Sequence, residues 1–530
     1  MRFLESHAGV AVIIFFSLVA LATFNDYGMT WDESVQAHYG ELVINYFVSG
    51  FHDQRCNEFL NLHLYGPLFE SLCALVYSLT GLPPVEVRHF MIACCSVMTA
   101  VAVLKIARLF SRPLVPLFSV LSLLMLPRFY GHAFNNSKDI PFACAFAWAM
   151  YALCKLLSGR TAGWRPYIAC GTAIGMALSV RVGALILFFY LIAGLLAAIV
   201  MKTSFGRDRN GQIKVPAILV GTCSAVLSAW FFMVVFWPWM HGNPILRPFE
   251  VFQATTAFQK TYPVFFEGTM VNSASLPLYY LPKYLLITTP FVIICSASLG
   301  LSAMVLFILR KAENVDGLLA TMIILWFFLP IIFALVKHPN IYDGIRHFIF
   351  ILPALALISG YGAATVVRYI SRRIRKFSIT AVLVMMMLLL PMKDLLLLHP
   401  YQMTYFNMLA GGISKAWKSY ETDYWVSSYK EAAEWVNRKA LENPEEHITV
   451  VLAANSYSGP CAAYYLRPEI SLYTLFTGLE KVPQKFHYYV STTRYGLHRR
   501  YADLPVEHVI GRQGAVFCVI KRGPAWSKKK

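Results

Sequence analysis

The sequence predicts a polytopic α-helical membrane protein that ends in a small α/β domain. Of its 530 residues, 57% are apolar and only 14% are charged, whereas a soluble domain carries about 25% charged residues. The apolar residues fall in long runs, and a bilayer crossing needs roughly 20 of them. After residue 398 these runs stop and polar residues take over, which predicts a final domain outside the membrane.

About eleven segments are apolar enough to cross a membrane. They lie at about 8–24, 86–107, 113–127, 140–157, 166–182, 184–201, 215–237, 284–309, 318–336, 346–367 and 377–398. The segment 65–82 (YGPLFESLCALVYSLTGL) is also apolar, but counting it as a span would move three basic loops to the outside. We therefore interpret it as an amphipathic helix that lies in the membrane interface, with Pro67 near its start.

Basic residues predict the orientation of these segments. The formal net charge is +18, and the excess Lys and Arg occupy short loops between apolar runs, a pattern typical of cytoplasmic loops rather than of nucleic-acid binding. These loops lie at 108–112, 155–165, 202–214, 310–311 and 368–376. The N-terminus is then cytoplasmic and everything after about residue 399 is external. A signal cleavage site at Ala20-Leu21-Ala22 is an alternative that leaves the other segments unchanged.

This topology divides the chain into two domains. We expect a membrane domain at 1–398, with external loops at 25–85 and 238–283, and an external α/β domain at 399–530. In the second domain SYKEAAEWVNRKALE favours a helix, HITVVLAA and HYYVSTT favour strands, and VEHVIGRQGAVFCVIKR favours a hairpin. Cys461 and Cys518 lie here, and they either pair in an oxidising compartment or remain free.

The positions of the acidic residues bear on the class of membrane protein. Most carboxylates before the final domain fall in external loops or interfacial segments, and none falls in the middle of a predicted span. A carboxylate inside a span costs about 2.5–3.5 kcal/mol and usually marks an ion or proton path. The pattern therefore favours chemistry at the external surface over a proton-coupled transporter.

Two adjacent acids follow the first span in TWDESVQAHYGE. One interpretation is that Trp31 is an interfacial aromatic residue and that Asp32 and Glu33 are merely solvated. The other is that one carboxylate acts as general base for an acceptor hydroxyl while its neighbour orients that hydroxyl.

The next external turn contains FYGHAFNNSKDIP. Its Asn, Ser and Asp residues suit a helix cap, and Pro141 suits a first helical turn. Alternatively, Asp139 is a second acid on the same membrane face as Asp32, where it would bind acceptor, donor or a cation.

Three cations lie at external edges of spans: Arg88 in VEVRHF, Lys283 in YLPKYLLITTP and Arg346 in YDGIRHFIFILP. They either extend to the interface as anchors or bind a lipid-linked phosphate by charge-assisted hydrogen bonds. His347 either adds a donor or packs beside Arg346. We find no metal site, because the histidines of the first loop lack ligand spacing.

Taken together, these motifs resemble the GT-C superfamily, specifically the family 39 protein O-mannosyltransferases and the related bacterial aminoarabinose and dolichyl-phosphate-mannose-type enzymes. The resemblance rests on the order of the motifs: a first span, the WDE element, an interfacial helix, an Arg at the next span, a second acid, LPKYLLITTP and RHFIFILP. YQMTYFNMLAGG and ETDYWVSSYKEAAEWV resemble a bacterial subgroup. The resemblance implies a GT-C-type fold in the bacterial inner membrane, with the final domain periplasmic.

The resemblance also implies roles for individual residues. Asp32 matches the catalytic base, with Glu33 beside it, and Asp139 matches the second acid. Arg88 matches the arginine that helps to bind the donor phosphate.

Arg346 and Lys283 match further cationic positions of the family. This chain departs from the family at the interfacial helix, where many bacterial relatives carry Lys-Pro-Pro. Here the sequence is Tyr65-Gly66-Pro67, so phosphate binding shifts to Lys283 or Arg346.

The function implied is transfer of a sugar, with inversion, from a polyprenyl-phosphate donor to an external hydroxyl of a glycan, lipid or protein. Some relatives use a divalent cation, so the resemblance leaves metal dependence open. One alternative is a transporter or flippase of lipid-linked glycans, which should show charges within spans and inverted repeats; the sequence shows neither. Another is a polymerase or ligase that transfers a whole glycan chain.

Overall fold

The structure, a computed structural model, consists of a helical bundle followed by a mixed α/β domain. It describes residues 2–159, 163–201, 203, 205, 213–256, 261–310, 315–374, 376–454, 457–476 and 482–528. Several basic residues of the predicted cytoplasmic loops therefore lie outside the described residues: Arg160, Lys202, Arg207, Arg209, Lys311 and Arg375.

The chain up to residue 397 forms mostly helices. They are α1 (Arg2–Thr23), α2 (Glu33–Val48), α3 (Arg55–Glu58), α4 (Leu68–Thr80), α5 (Pro84–Ala107), α6 (Val115–Leu124), α7 (Pro127–His132), α8 (Asp139–Ser158), α9 (Trp164–Leu178), α10 (Ile186–Val200), α11 (Val215–Phe236), α12 (Pro238–His241), α13 (Arg247–Thr256), α14 (Tyr280–Thr288), α15 (Phe291–Arg310), α16 (Val315–Lys337), α17 (Leu352–Ile374), α18 (Phe377–Leu388) and α19 (Met392–Leu397). A 3-10 turn, Arg346–Ile351, leads into α17.

Nine helical segments within the described residues are long and apolar enough to cross a membrane. They are His7–Asp26, Pro84–Ala107, Asp139–Ser158, Val182–Val200, Val215–Phe236, Phe291–Arg310, Val315–Lys337, Arg346–Ile374 and Phe377–Leu397. The prediction of a polytopic helical membrane protein is thus confirmed, with nine of the eleven predicted spans.

The other two predicted spans are helices that are shorter than expected. Helix α6 has 10 residues and α9 has 15, whereas a crossing needs roughly 20. Phe118, Val120 and Leu123 of α6 are fully buried. The apolar sequence of α6 therefore reflects packing inside the protein, since nine of its ten residues are buried.

Proline divides one predicted span and begins another helix. The segment predicted at 284–309 is two helices, α14 and α15, and Pro290 lies between them; proline removes a backbone donor and clashes with the preceding helical turn. The predicted interfacial helix is α4, with Pro67 as its N-cap and Gly81 in the left-handed conformation at its end.

The two long loops are folded. The first carries α2, α3 and α4, and the second carries α12, α13 and a hairpin of β1 (Pro263–Phe266) and β2 (Thr269–Asn272). The hairpin turn contains Glu267 and Gly268, both with positive φ.

The C-terminal domain is α/β, as predicted. Its elements are α20 (Ile413–Ala416), α21 (Tyr429–Glu442), β3 (Thr449–Leu452), α22 (Gly459–Ala463), β4 (Ser471–Thr474), β5 (Tyr488–Thr492), β6 (Val506–Arg512) and β7 (Ala515–Arg522). The strand order is β4-β3-β5-β7-β6, with β3 parallel to β4 and β5, and β7 antiparallel to β5 and β6. Cys461 and Cys518 are both buried and free, so they do not form the disulfide considered above.

The segment between the bundle and the sheet packs on the membrane helices. The side-chain amide of Asn407 donates to the carbonyl oxygens of Leu286 and Thr289, each at 2.8 Å. The hydroxyl of Tyr424 lies 2.8 Å from Nε2 of His132 in α7. These contacts hold the C-terminal domain against one end of the bundle. Helices α5 and α8 and the 3-10 turn that starts at Arg346 all begin at this end.

Candidate active site

Three of the predicted site residues meet at this end of the bundle. Asp32 is the N-cap of α2, Asp139 is the first residue of α8, and Arg346 begins the 3-10 turn before α17. Each lies where a helix starts, so their side chains project from neighbouring elements into the same region.

Asp32 lies between two cations. Its Oδ2 is 3.4 Å from Nζ of Lys138 and 3.9 Å from a terminal guanidinium nitrogen of Arg346. The Asp32 side chain is 30% exposed, whereas that of Arg346 is 6% exposed. Burial is the largest single influence on Lys138 and disfavours its charge, but Asp32 together with the neighbouring tyrosines Tyr65 and Tyr342 outweighs it, so the pKa of Lys138 lies above its ordinary value. Asp32 is thus a partly exposed carboxylate flanked by two cations, and a carboxylate is a group that can accept a proton as a general base.

Glu33 faces the other way and is completely buried. Its Oε1 accepts hydrogen bonds from the backbone amide of Thr30 at 2.7 Å and from the Thr30 hydroxyl at 3.0 Å. Its Oε2 lies 3.1 Å from Nε2 of His89. These contacts hold the turn that presents Asp32, so Glu33 supports the exposed acid from behind.

Asp139 is also buried and paired. A terminal guanidinium nitrogen of Arg181 lies 2.6 Å from its Oδ1, and the side-chain amide of Asn136 donates to its Oδ2 at 3.1 Å. The side-chain oxygen of Asn136, Oδ1, accepts hydrogen bonds from the backbone amides of Lys138 and Asp139. The predicted capping role of this segment is therefore present, and it orients the backbone that carries Lys138.

Arg88 lies in a buried ion pair behind this group. Its terminal nitrogen is 2.6 Å from Oε2 of Glu70, and both side chains are nearly inaccessible. Burial raises the pKa of Glu70, although Arg88 opposes this. The side-chain amide of Gln36, assigned with its nitrogen toward Glu70, lies 3.3 Å from Glu70 Oε1 and 3.1 Å from Nζ of Lys138. Arg88 is thus connected to Lys138, the partner of Asp32, by contacts through Glu70 and Gln36.

A second chain of contacts runs from Arg346 to the C-terminal domain. Nε of Arg346 lies 3.1 Å from Oδ2 of Asp343, and Arg494 donates to Asp343 Oδ1 at 2.9 Å. The Arg494 guanidinium also lies over the ring of Trp31, 4.3 Å from its centroid. Arg494 therefore joins the final domain to both Asp343 and the loop that carries Asp32.

Aromatic rings line the same region. The ammonium of Lys138 lies 5.4 Å from the Tyr65 ring centroid, and the guanidinium of Arg346 lies 4.8 Å from Tyr342. The ring of His347 meets that of Tyr342 edge-on at 4.8 Å. Tyr65, the first residue of the Tyr65-Gly66-Pro67 element, therefore faces Lys138 from the turn before α8.

Lys283 belongs to a different group. It forms an ion pair with Glu267 in the turn of the β1–β2 hairpin, and its ammonium lies 5.8 Å from the ring centroids of both Tyr279 and Tyr420. The hydrogen bond to Glu267 raises the pKa of Lys283.

Four residues of the site were not singled out from the sequence: Lys138, Arg181, Asp343 and Arg494. Lys138 had a usable signal, because it stands directly before Asp139 in the quoted turn, and Asp343 stands in YDGIRH. Arg181 and Arg494 carried no signal, since their partners lie far away in sequence. The described residues contain no group of three or more His, Cys, Asp or Glu side chains suited to a metal ion.

The comparison with protein families gives one match. Residues 65–236, about a third of the chain, match the family of dolichyl-phosphate-mannose-protein mannosyltransferases. No curated protein sequence matches the chain.

Several solved structures share the fold. ArnT from Cupriavidus metallidurans in the apo state is 15% identical, with a TM-score of 0.51 over 97% of this chain and 98% of that one. The same protein bound to undecaprenyl phosphate has a TM-score of 0.50 at 15% identity and the same coverage. The oligosaccharyltransferase AglB from Archaeoglobus fulgidus, in complex with an inhibitory peptide and a dolichol-phosphate, is 11% identical. Its TM-score is 0.51 over 92% of this chain and 70% of that one. The chain therefore shares the fold of these two transferases, as the prediction of a GT-C-type fold expects, and its residues 65–236 resemble the mannosyltransferase family.

Proposed function

We propose that this chain is a glycosyltransferase that moves a sugar from a polyprenyl-phosphate-linked donor to an acceptor hydroxyl, with Asp32 as general base. The observation that carries the proposal is the partly exposed Asp32 carboxylate between Lys138 and Arg346. The matched mannosyltransferase family and the undecaprenyl phosphate bound to ArnT support a lipid-linked donor.

The donor phosphate binds to the two cations that face Asp32. Arg346 is held by Asp343 on one side, and its remaining guanidinium edge suits a phosphate oxygen. Lys138 supplies a second point charge from the turn before α8. When phosphate takes these cations, the Asp32 carboxylate is released toward the acceptor.

The reaction then needs one proton transfer and one displacement. The acceptor oxygen forms a bond to the anomeric carbon while the bond from that carbon to the phosphate oxygen breaks. Asp32 takes the hydroxyl proton, and the electron pair of the broken bond stays on the leaving phosphate. Lys138 and Arg346 stabilise this added negative charge. In-line attack inverts the anomeric configuration.

The other predicted site residues position this group. Arg88 acts through Glu70 and Gln36 on Lys138, and Glu33 holds the turn of Asp32. Asp139, paired with Arg181, fixes the start of α8. Lys283 stays with Glu267 in the hairpin.

The active site faces the outside of a bacterial inner membrane in this proposal. The support is the distribution of Lys and Arg, which favours cytoplasmic placement of the loops at the opposite ends of the helices. The final domain, held to the site by Arg494, then lies in the periplasm.

The first test compares Asp32→Asn with the wild type in lipid nanodiscs. Radiolabelled polyprenyl-phosphate sugars serve as donors and an envelope extract serves as acceptor. We expect Asp32→Asn to bind donor normally and to lose transfer by about 100- to 10,000-fold, the contribution typical of a general base. Asp53→Asn changes a partly exposed acid of the same loop, paired with the exposed Arg55; it is the matched control and should retain transfer.

Two results would contradict the proposal. Full transfer by Asp32→Asn would remove Asp32 from the mechanism. Protein-dependent movement of lipid-linked glycan between leaflets, without transfer by the wild type, would indicate a transporter instead.

A further inference from the structure

A cavity of about 570 Å³ lies beside the candidate active site. Its walls come from the β1–β2 hairpin, from the segment 417–424 and from the 3-10 turn Arg494–Arg499 of the C-terminal domain. This volume is typical of pockets that hold small ligands. Three separate parts of the chain thus meet around one space, and the proposed chemistry leaves that space without a role.

The cavity contains buried polar atoms that lack hydrogen-bond partners among the described residues. Both carboxylate oxygens of Glu421, the indole nitrogen of Trp417 and Nε of Arg494 are of this kind, and all three residues line the cavity. Glu421 is 7% exposed and Arg494 is 6% exposed. A buried polar group that lacks a hydrogen-bond partner is unfavourable, because it has lost its hydration without compensation. A ligand that supplies both acceptors and donors would offset this cost.

The cavity wall also holds a strained backbone. Tyr495 has φ 55° and ψ 17°, and Gly496 follows with φ 70°. A bulky residue with positive φ is unusual and strained. Here the conformation is held by the Tyr495 hydroxyl, which accepts a hydrogen bond from Arg494 at 3.0 Å. This hydrogen bond keeps the Arg494 and Tyr495 side chains together at the cavity wall.

Arg494 connects the cavity to the reacting group. The same guanidinium that lines the cavity pairs with Asp343, which in turn holds Arg346. Its other face covers the ring of Trp31, next to Asp32. The Arg494 side chain therefore lies between a molecule bound in the cavity and the loop that carries Asp32, the proposed base.

We propose that this cavity binds a saccharide of the acceptor, so that the acceptor is a glycan or glycolipid rather than a protein. The inference rests on the proposed transferase function. Sugars present hydroxyl groups that both donate and accept, which matches the unpaired oxygens of Glu421 and the unpaired nitrogens of Trp417 and Arg494. Trp417 and Tyr495 supply flat apolar faces for a sugar ring, and Lys418 and Arg499 at the lining favour an envelope glycan that carries negative charge.

The first test measures saccharide binding without catalysis. Saturation-transfer NMR uses the full chain in nanodiscs free of glycoside detergent, with three probes: maltose, chitobiose and a uronic-acid disaccharide. We expect transfer to at least one probe, reduced at least fivefold by Glu421→Gln and by Trp417→Ala. Asp32→Asn and Glu434→Gln, an exposed acid on α21, should bind like the wild type. Trp417→Phe keeps an aromatic ring and removes the N–H, so it replaces Trp417→Ala where that variant unfolds.

The second test measures transfer kinetics with the envelope glycan fraction as acceptor. The acceptor KM should rise at least tenfold in Glu421→Gln and Trp417→Phe, while the donor KM stays within twofold. Absence of binding to every probe, equal binding by the cavity variants or an unchanged acceptor KM overturns the proposal. Absence of transfer by the wild type overturns the transferase function instead, and the NMR result still decides whether the cavity binds saccharide.

Discussion

At the scale of single residues, the site is built from charges whose partners determine what they do. Arg88 and Lys283 were expected to bind phosphate, but each already has a carboxylate partner away from Asp32. Lys138 shares the partly exposed Asp32 with Arg346. Arg88 lies in a buried pair, so binding another anion would leave the buried Glu70 carboxylate unpaired. Lys283 and its partner Glu267 are both partly exposed, and Lys283 differs from Lys138 in position, because it lies with the β1–β2 hairpin and not beside Asp32.

Replacing Lys138 or Lys283, one at a time, by methionine tests whether only Lys138 binds the donor phosphate, because methionine is apolar and of similar length. Lys138→Met should raise the donor KM and lower turnover by about 10- to 100-fold, because a hydrogen bond to a charged group contributes about 1.5–3 kcal/mol. Lys283→Met is the matched change outside the group and should alter both parameters by less than threefold. Steady-state transfer at varied donor concentration measures this. If Lys283→Met impaired transfer and Lys138→Met did not, Lys283 would be the lysine that binds the donor phosphate.

The raised pKa of Glu421 predicts that the stability of the folded chain depends on pH. Burial raises its pKa to about 7, above the ordinary value of about 4.3. Between these values the folded chain holds a proton that the unfolded chain releases. Protonation of Glu421 therefore stabilises the folded chain. This stabilisation is fully present below about pH 4 and is lost as the pH rises through about 7.

The neutral variant Glu421→Gln should therefore match the wild type near pH 4 and be more stable above pH 8, by about 3 kcal/mol. Thermal unfolding followed by intrinsic fluorescence between pH 4 and about 8.5 measures the difference. Glu434→Gln, which removes an exposed acid, should leave the pH profile unchanged. A constant gap between Glu421→Gln and the wild type at every pH would show that Glu421 does not titrate in this range.

At the scale of elements, glycine lets two membrane helices touch along their backbones. A Cβ on Gly300 of α15 would lie 1.9 Å from the carbonyl oxygen of Ile358 in α17, and a Cβ on Gly362 would lie 2.0 Å from that of Ser296. Small residues allow such close approach between helices in lipid, where packing drives association.

Gly300→Ala should therefore separate α15 from α17 and reduce stability by about 1–3 kcal/mol or more, the usual cost of overpacking. Gly163→Ala is the control, because a Cβ at that position would meet no atom of the described part of the chain within 4 Å. Unfolding temperatures in the same lipid or detergent measure both. Equal unfolding temperatures for Gly300→Ala and Gly163→Ala would mean that the two helices are not in backbone contact.

At the scale of the whole molecule, Arg494 is one of the side chains that join the C-terminal domain to the membrane domain, together with Asn407 and Tyr424. Arg494 is buried, pairs with Asp343 and donates to the carbonyl oxygen of Tyr424 at 2.6 Å. Removing one partner of a buried ion pair commonly costs about 3–5 kcal/mol. The final domain should therefore depend on Arg494 for its position over the site.

Arg494→Ala should expose the C-terminal domain to protease and lower transfer at least tenfold, while the membrane helices remain folded. Limited proteolysis and circular dichroism in nanodiscs measure these effects. Arg467→Ala removes an exposed arginine of the same domain, paired at the surface with Glu469, and should cost at most about 1 kcal/mol. Unchanged proteolysis of Arg494→Ala would show that other contacts suffice to hold the domain.

The membrane character, nine spans, the interfacial helix α4, the α/β nature of the final domain and the candidate base Asp32 all follow from the sequence alone. These features are local: apolar runs, helix periods, caps and strand patterns depend on residues close together in the chain, so they can be read directly from it. Asp32 belongs with them, because it follows soon after the first span.

Which charges meet depends on the tertiary structure. Asp32 and Arg346 are far apart in the chain and are brought together by the packing of the membrane helices. Asp343 and Arg494 are also far apart, and they meet because the C-terminal domain packs on the membrane domain. Packing also turned Arg88 inward onto Glu70 and left Lys138 beside the exposed acid. A cation at the end of a span looks the same in sequence whether it anchors, pairs or binds substrate, since its role depends on partners that distant segments supply.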